Sequence, residues 1–194
     1  MFHLLHYLYS KPIQPMQSIK LKRSSLFFLI GISMAMIINA CTPPQQAESN
    51  LKVEAITSGP FFEGPNSLIA EEEVKFDQLI DGQNLSADQL KSVKIQSVGV
   101  TLRAMDSLDF TYFNDASISI VSPEIDMMSI ATINPIESDG QSISLQTSEE
   151  AELVDYFKSG KYSLVLDLGL NQDIYIGELG ATIDIKLNVE YKAQ

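Results

Sequence analysis

The chain has 194 residues, with 13 basic and 25 acidic side chains, a net charge of −12, one cysteine, two histidines and no tryptophan. So negative a field excludes nucleic acid as a partner held by general electrostatics, and a single thiol excludes an intramolecular disulfide. Beyond His3 and His6 the chain has no histidine, so histidine-based nucleophile activation and His/Cys metal sites have almost nothing to draw on.

Lys20, Lys22 and Arg23 precede an apolar run from Leu26 to Ile38. At about 13 residues it is too short to span a bilayer, which takes about 20, and suits the apolar region of a secretory signal. Met16 offers an ordinary start for that signal. The run ends in Ile38-Asn39-Ala40-Cys41, which resembles the lipobox of bacterial lipoproteins, with Asn39 where a small residue or serine is usual. The resemblance implies a signal peptide over residues 1–40, cleavage before Cys41 and a diacylglycerol on its sulfur, so that the membrane is held by lipid. Cleavage would remove four basic side chains, no acidic ones and both histidines, leaving 154 residues at a net charge of −16. Residues 41–50 then read as the lipidated cysteine and a flexible tether, with two prolines and polar side chains. Gln46-Ala47-Glu48 resembles the surface-export signals of Bacteroidetes lipoproteins, with one acid where those carry a run.

Residues 51–194 are predicted to form one domain, with strands at 52–57, 74–80, 109–113, 116–121, 128–133 and 142–147. In "SVKIQSVGVTL" the apolar parity changes from Val93 and Ile95 to Val98, Val100 and Leu102. One extra residue near Ser97, a bulge, restores it. "SADQLKS" has Ser86 three residues before Gln89, the spacing of a capped turn. Asp139-Gly140 is expected to turn the chain between two strands. "TSEEAELVDYFKSG" carries a capping-box spacing at Thr147 and Glu150, an apolar face of Leu153, Val154 and Phe157, and Gly160 as a stop. It predicts a helix covering one end of the fold. "KYSLVLDL" and "ATIDIKLNVEY" alternate without a break and predict two long strands, each with one dry face, as a hairpin or near neighbours. The fold class is therefore all-β, an antiparallel immunoglobulin-like β-sandwich with one short covering helix. The segments "LDFTYFNDASISIVSP", "MSIATINPI" and "LVDYFKSGKYSLVLDL" resemble uncharacterised lipoproteins of Bacteroidetes. That resemblance implies the same sandwich and a cell-envelope location, and carries no catalytic residues with it.

Three groups of residues are candidates for function. In "GPFFEGP", Phe61 and Phe62 either contact a ligand or plug the core. Asp106, Asp109 and Asp115 offer oxygens to a cation, but their spacing is not that of an EF-hand loop and a solvated acidic turn serves as well. Asp109 with Glu137 or Asp167 would be a carboxylate pair for glycan hydrolysis. No phosphate-binding loop or dinucleotide turn occurs, so no cofactor and no metal are assigned. The leading expectation is a noncatalytic binding or structural module, lipid-anchored at the outer membrane of a Gram-negative bacterium, meeting an envelope protein or a glycan. The alternative is a carboxylate-dependent envelope enzyme. The sequence leaves open which face of that membrane the domain occupies.

Overall fold

The computed structural model describes residues 43–103 and 108–193. The signal-like segment, the alternative start Met16 and Cys41 lie outside the described residues, as does Asp106.

Eight antiparallel strands make up the domain: β1 (Gln45–Ser58), β2 (Gly64–Glu73), β3 (Leu90–Leu102), β4 (Phe113–Ser122), β5 (Ile125–Ile133), β6 (Ser142–Thr147), β7 (Lys161–Leu170) and β8 (Glu178–Tyr191). One short helix, α1 (Val154–Lys158), lies between β6 and β7. Their order is β1-β8-β3-β6-β5-β4-β7-β2. Only two residue pairs, Ala131↔Thr147 and Thr132↔Gln146, join β5 to β6, so the order divides there into two facing layers. The expected all-β antiparallel sandwich with one short helix is the observed architecture. Its strand order, 1-8-3-6 over 5-4-7-2, is that of a jelly roll and replaces the expected immunoglobulin-like arrangement, whose strands divide as ABED and CFG.

Alternation explains the core. In β8, Ala181, Ile183, Ile185, Leu187 and Val189 are buried; in β7, Leu164, Leu166, Leu168 and Leu170 are. These dry faces meet between the layers, with Ile118 and Ile120 of β4 and Val98 and Val100 of β3. The register of β3 on β8 shifts between Ile95 and Ser97. The expected bulge is therefore present, and it keeps apolar side chains inward on both sides of the parity change.

Connectivity departs from expectation in two respects. β7 and β8 are not a hairpin: β8 lies between β1 and β3, and β7 between β4 and β2. Both dry faces need cover, and placing them in opposite layers lets each cover the other. Residues 134–141 join β5 to β6 across the layers, so Asp139-Gly140 is part of a longer connection than a tight hairpin turn.

Element bounds differ in four places. The expected tether is shorter, because Gln45 to Asn50 pair with Tyr191 to Lys186 of β8. β8 would otherwise expose one row of backbone donors and acceptors along half its length. Residues 74–80 are not a strand. The preceding segment forms β2, and a turn closes with Gln78 N–H donating to Lys75 O at 3.0 Å. Glu71 and Glu73 end β2 pointing to water, with Glu72 half-buried between them on the inward parity. Residues 110–112 form a single 3-10 turn before β4 instead of a strand. Finally, the covering helix begins at Val154. Thr147 remains in β6, and Glu152 is drawn to the free edge of β3, where its carboxylate accepts from Val93 N–H and Ser92 Oγ, both at 2.6 Å. That pull straightens the stretch expected to form the first helical turn. The helix still covers an end as expected: Leu153, Tyr156 and Phe157 are buried, Phe157 stacks on Tyr162 at 5.4 Å, and Gly160 ends it at φ 81°. The turn at Ala87–Gln89 forms as expected, with Gln89 Oε1 accepting from Ser86 N–H at 2.9 Å.

The topology gives the sandwich two distinct ends. Connections 74–89, 123–124 and 148–160 lie at the end where β1 starts, together with α1. Connections 59–63, 103–112, 134–141 and 171–177 gather at the other. There Phe110 N–H donates to Gly140 O at 2.9 Å and Asn171 N–H to Tyr112 O at 3.0 Å.

Candidate functional site

At that second end, β1 and β8 continue into a narrow ribbon. Gly59 N–H donates to Gly177 O at 3.0 Å; Phe61 and Ile174 exchange both backbone hydrogen bonds, at 3.0 and 2.9 Å. A side chain at Gly59 would collide with Ile176 O and come within 2.8 Å of the Phe61 ring, so the ribbon closes only around glycine here. Asn66 Nδ2 donates to Phe62 O and Gly64 O, both at 2.9 Å, and Asp173 Oδ1 accepts from Glu63 N–H at 2.9 Å. The backbone of the tip is thus tied from both sides.

Alternation through the ribbon sorts its side chains. Phe61 and Ile174 point inward, and Phe61 is 3% exposed. Phe62, Pro60, Tyr175 and Ile56 point outward, with Phe62 57%, Tyr175 77% and Ile56 48% exposed. Since Phe61 faces Ile174, Phe62 stands opposite Asp173 and diagonal to Tyr175, a spacing at which aromatic side chains can reach one another. Tyr175 hydroxyl donates to Asp173 Oδ2 at 3.2 Å, which holds its ring along its own strand beside that carboxylate. That hydrogen bond and the charge of Asp173 push the Tyr175 phenol above its ordinary pKa.

The two readings of "GPFFEGP" are therefore divided between its rings: Phe61 plugs the core and Phe62 faces solvent. Tyr175 was missed from the sequence, although Ile174 and Ile176 on either side of it alternate as a short strand would and could have signalled an outward aromatic.

The acidic candidates have other roles. Asp109 Oδ1 accepts from Thr111 N–H at 2.9 Å and also from the Thr111 hydroxyl, so it caps the 3-10 turn. Asp115 lies on the outer face of β4, its carboxylate over Gly169 of β7. Among the described residues no three of His, Cys, Asp and Glu gather in a metal-sized group.

Two grooves follow the seams between layers. The larger, about 620 Å3, opens where β5 and β6 separate and is lined by Thr132, Asn134, Glu137, Ser142 and Ser144 among others. Glu137 is its carboxylate; neither Asp109 nor Asp167 lines it, and Asp167 accepts from Ser67 Oγ on the outer face of β7. The smaller, about 340 Å3, lies between the free edges of β1 and β2 over Leu79, Phe157 and Tyr162. Burial, with Glu72 nearby, pushes the Tyr162 phenol well above its usual range. At the rim Lys161 holds the Glu73 carboxyl below its ordinary value.

No protein-family model matches the chain, and no curated protein is significantly similar to it in sequence.

Proposed function

We propose that the protein is a lipid-anchored envelope lipoprotein whose sandwich is a noncatalytic binding module, presenting the Phe62–Tyr175 surface to a partner. One observation carries this reading: two aromatic rings stand exposed on a braced ribbon at the end of the fold opposite the start of β1. A 14-residue strand spans about 43 Å. A lipid on Cys41 would be joined to Gln45 by four residues, at most ~14 Å of chain, so the aromatic end would reach away from the membrane. Exposed single apolar residues are ordinary. Pro60, Phe62 and Tyr175 share one outer face of a hydrogen-bonded ribbon, with Ile56 further along β1 on the same parity, and exposed apolar groups gathered in this way are of the kind used in recognition. The location proposed is the outer membrane of a Gram-negative bacterium.

Two measurements in cells test the two halves of this reading. Growth with a labelled fatty acid should label the wild type and leave Cys41→Ser unlabelled; label surviving the substitution would end the lipoprotein reading. A photo-crosslinking amino acid should give discrete adducts at position 62 and few at Asp81, near the other end. Equal yields at both positions, or none at 62, would end the binding reading.

A further inference from the structure

The exposed apolar surface carries an electrostatic signature that points to the chemistry of its partner, an inference that rests on the binding reading above. Six of the eight lysines in the described residues, Lys75, Lys91, Lys94, Lys158, Lys161 and Lys192, lie at the end that holds the start of β1 and α1. The other two, Lys52 and Lys186, lie midway along β1 and β8. At the aromatic end the one basic side chain among the described residues is Arg103, and Glu54 already pairs with it. Asp173, opposite Phe62, is exposed, as are Glu63, next to Phe62 in the chain, and Glu178, three residues after Tyr175, and no cation among the described residues pairs with them.

We propose that the surface formed by Ile56, Pro60, Phe62 and Tyr175 receives a cationic polypeptide segment, whose Lys or Arg side chains lie over the two rings and against Glu63, Asp173 and Glu178. An aromatic face attracts a cation through its quadrupole, and the flanking carboxylates add charge pairing at the rim, where it steers encounter and selects among partners. The hydrogen bond from Tyr175 to Asp173 fixes a ring and a carboxylate side by side, so one guanidinium or ammonium can meet both. Ile56 and Pro60 supply apolar contact for the stems of those side chains.

Other occupants fit less well. Both oxygens of Asp173 already accept protein hydrogen bonds, which leaves few free ligand sites for a divalent ion. An anionic lipid surface is repelled by this end. A second copy docked symmetrically through the same patch would bring like charges together. A neutral glycan can stack on the rings but is indifferent to the acids.

The test uses the full chain purified in detergent and fluorescence anisotropy with a labelled peptide of alternating Arg and Ser. A peptide with Gln in place of Arg, and a neutral glucan oligosaccharide as competitor, complete the set. The Arg peptide should bind saturably and the Gln peptide should not. Phe62→Ala and Tyr175→Ala should each weaken binding about fivefold or more, as expected for loss of a ring under a cation, while the melting temperature stays near wild type because both rings are exposed. Glu63→Gln/Asp173→Asn should weaken it as much. Glu71→Gln/Glu124→Gln removes the same charge at the other end and should change affinity less than about twofold. An equal loss in that control pair would show attraction to the general negative field and overturn the proposal. Ring-dependent binding of the oligosaccharide without the Arg peptide would overturn the cationic partner and leave the binding surface standing. Loss of Arg-peptide binding together with absence of crosslinks at position 62 would remove both readings.

Discussion

Gly169 of β7 faces Asp115 of β4 beside the irregularity between Phe113 and Asp115, and replacing it with alanine has an effect whose sign depends on that neighbour. The added Cβ would lie 2.5 Å from Asp115 Oδ2 and 2.9 Å from both Cγ and Oδ1. Those distances are inside van der Waals contact, so the carboxylate must leave its place or the strands must part. Because the obstructing atoms all belong to the short Asp115 side chain on the outer face, which can rotate away, the cost lies at the low end of the about 1–3 kcal/mol of overpacking. Gly169 is not among the positive-φ glycines, so alanine meets no backbone strain, and removing a strand glycine should return about 0.5–1 kcal/mol. The net for Gly169→Ala is a loss of up to about 1 kcal/mol. With Asp115→Ala already present the obstruction is gone, and the same change should stabilise by about 0.5–1 kcal/mol. Urea denaturation of the four members of this cycle, with m-values checked for constancy, measures the coupling directly. If Gly169→Ala destabilises by the same amount in both backgrounds, the reasoning from the carboxylate is refuted and the backbone itself requires glycine.

Three further outcomes are expected. Ile185→Asp, a charge on the dry face of β8, should cost about 4 kcal/mol or more, whereas Lys186→Asp, on the exposed side, should cost less than about 1 kcal/mol; comparable losses in denaturant melts would mean the strand phase is wrong. Because the folded Tyr162 phenol titrates above its unfolded value of 10.0, its contribution is intact below about pH 10 and lost as pH rises beyond it. Tyr162→Phe should therefore flatten the alkaline fall in stability, and an unchanged slope would show that Tyr162 does not govern it. Asp109→Ala should lower stability by about 1 kcal/mol through loss of the cap on Thr111, by the same amount with or without calcium; a calcium-selective rise in melting temperature that the substitution abolishes would instead make Asp109 a cation ligand.

Local pattern carried much of the fold. The unbroken alternation in β7 and β8 is a property of the strand itself, because a dry face needs apolar side chains at every second position whatever covers it. The bulge near Ser97 was legible for the same reason: a parity change in an otherwise apolar strand has few other solutions. Ser86 and Gln89 satisfy each other within four residues, so that turn also needed no distant partner.

What tertiary structure alone decided is which element each strand meets. The polar stretch at Gln45 to Asn50 becomes strand because β8 has an edge to fill, and Thr147 to Glu152 fails to start a helix because Glu152 finds Ser92 and Val93, some sixty residues away. The alternation of β7 and β8 does not say whether they share a layer, since either arrangement buries the same side chains. Nor could "FF" reveal which ring is buried. That follows from Phe61 facing Ile174 across a ribbon formed by residues 113 positions apart, and the same pairing brings Tyr175 beside Phe62. Sequence periodicity reports that a side chain has an inside and an outside; only long-range pairing, set by the need to satisfy backbone edges and to close the core, determines what lies on each.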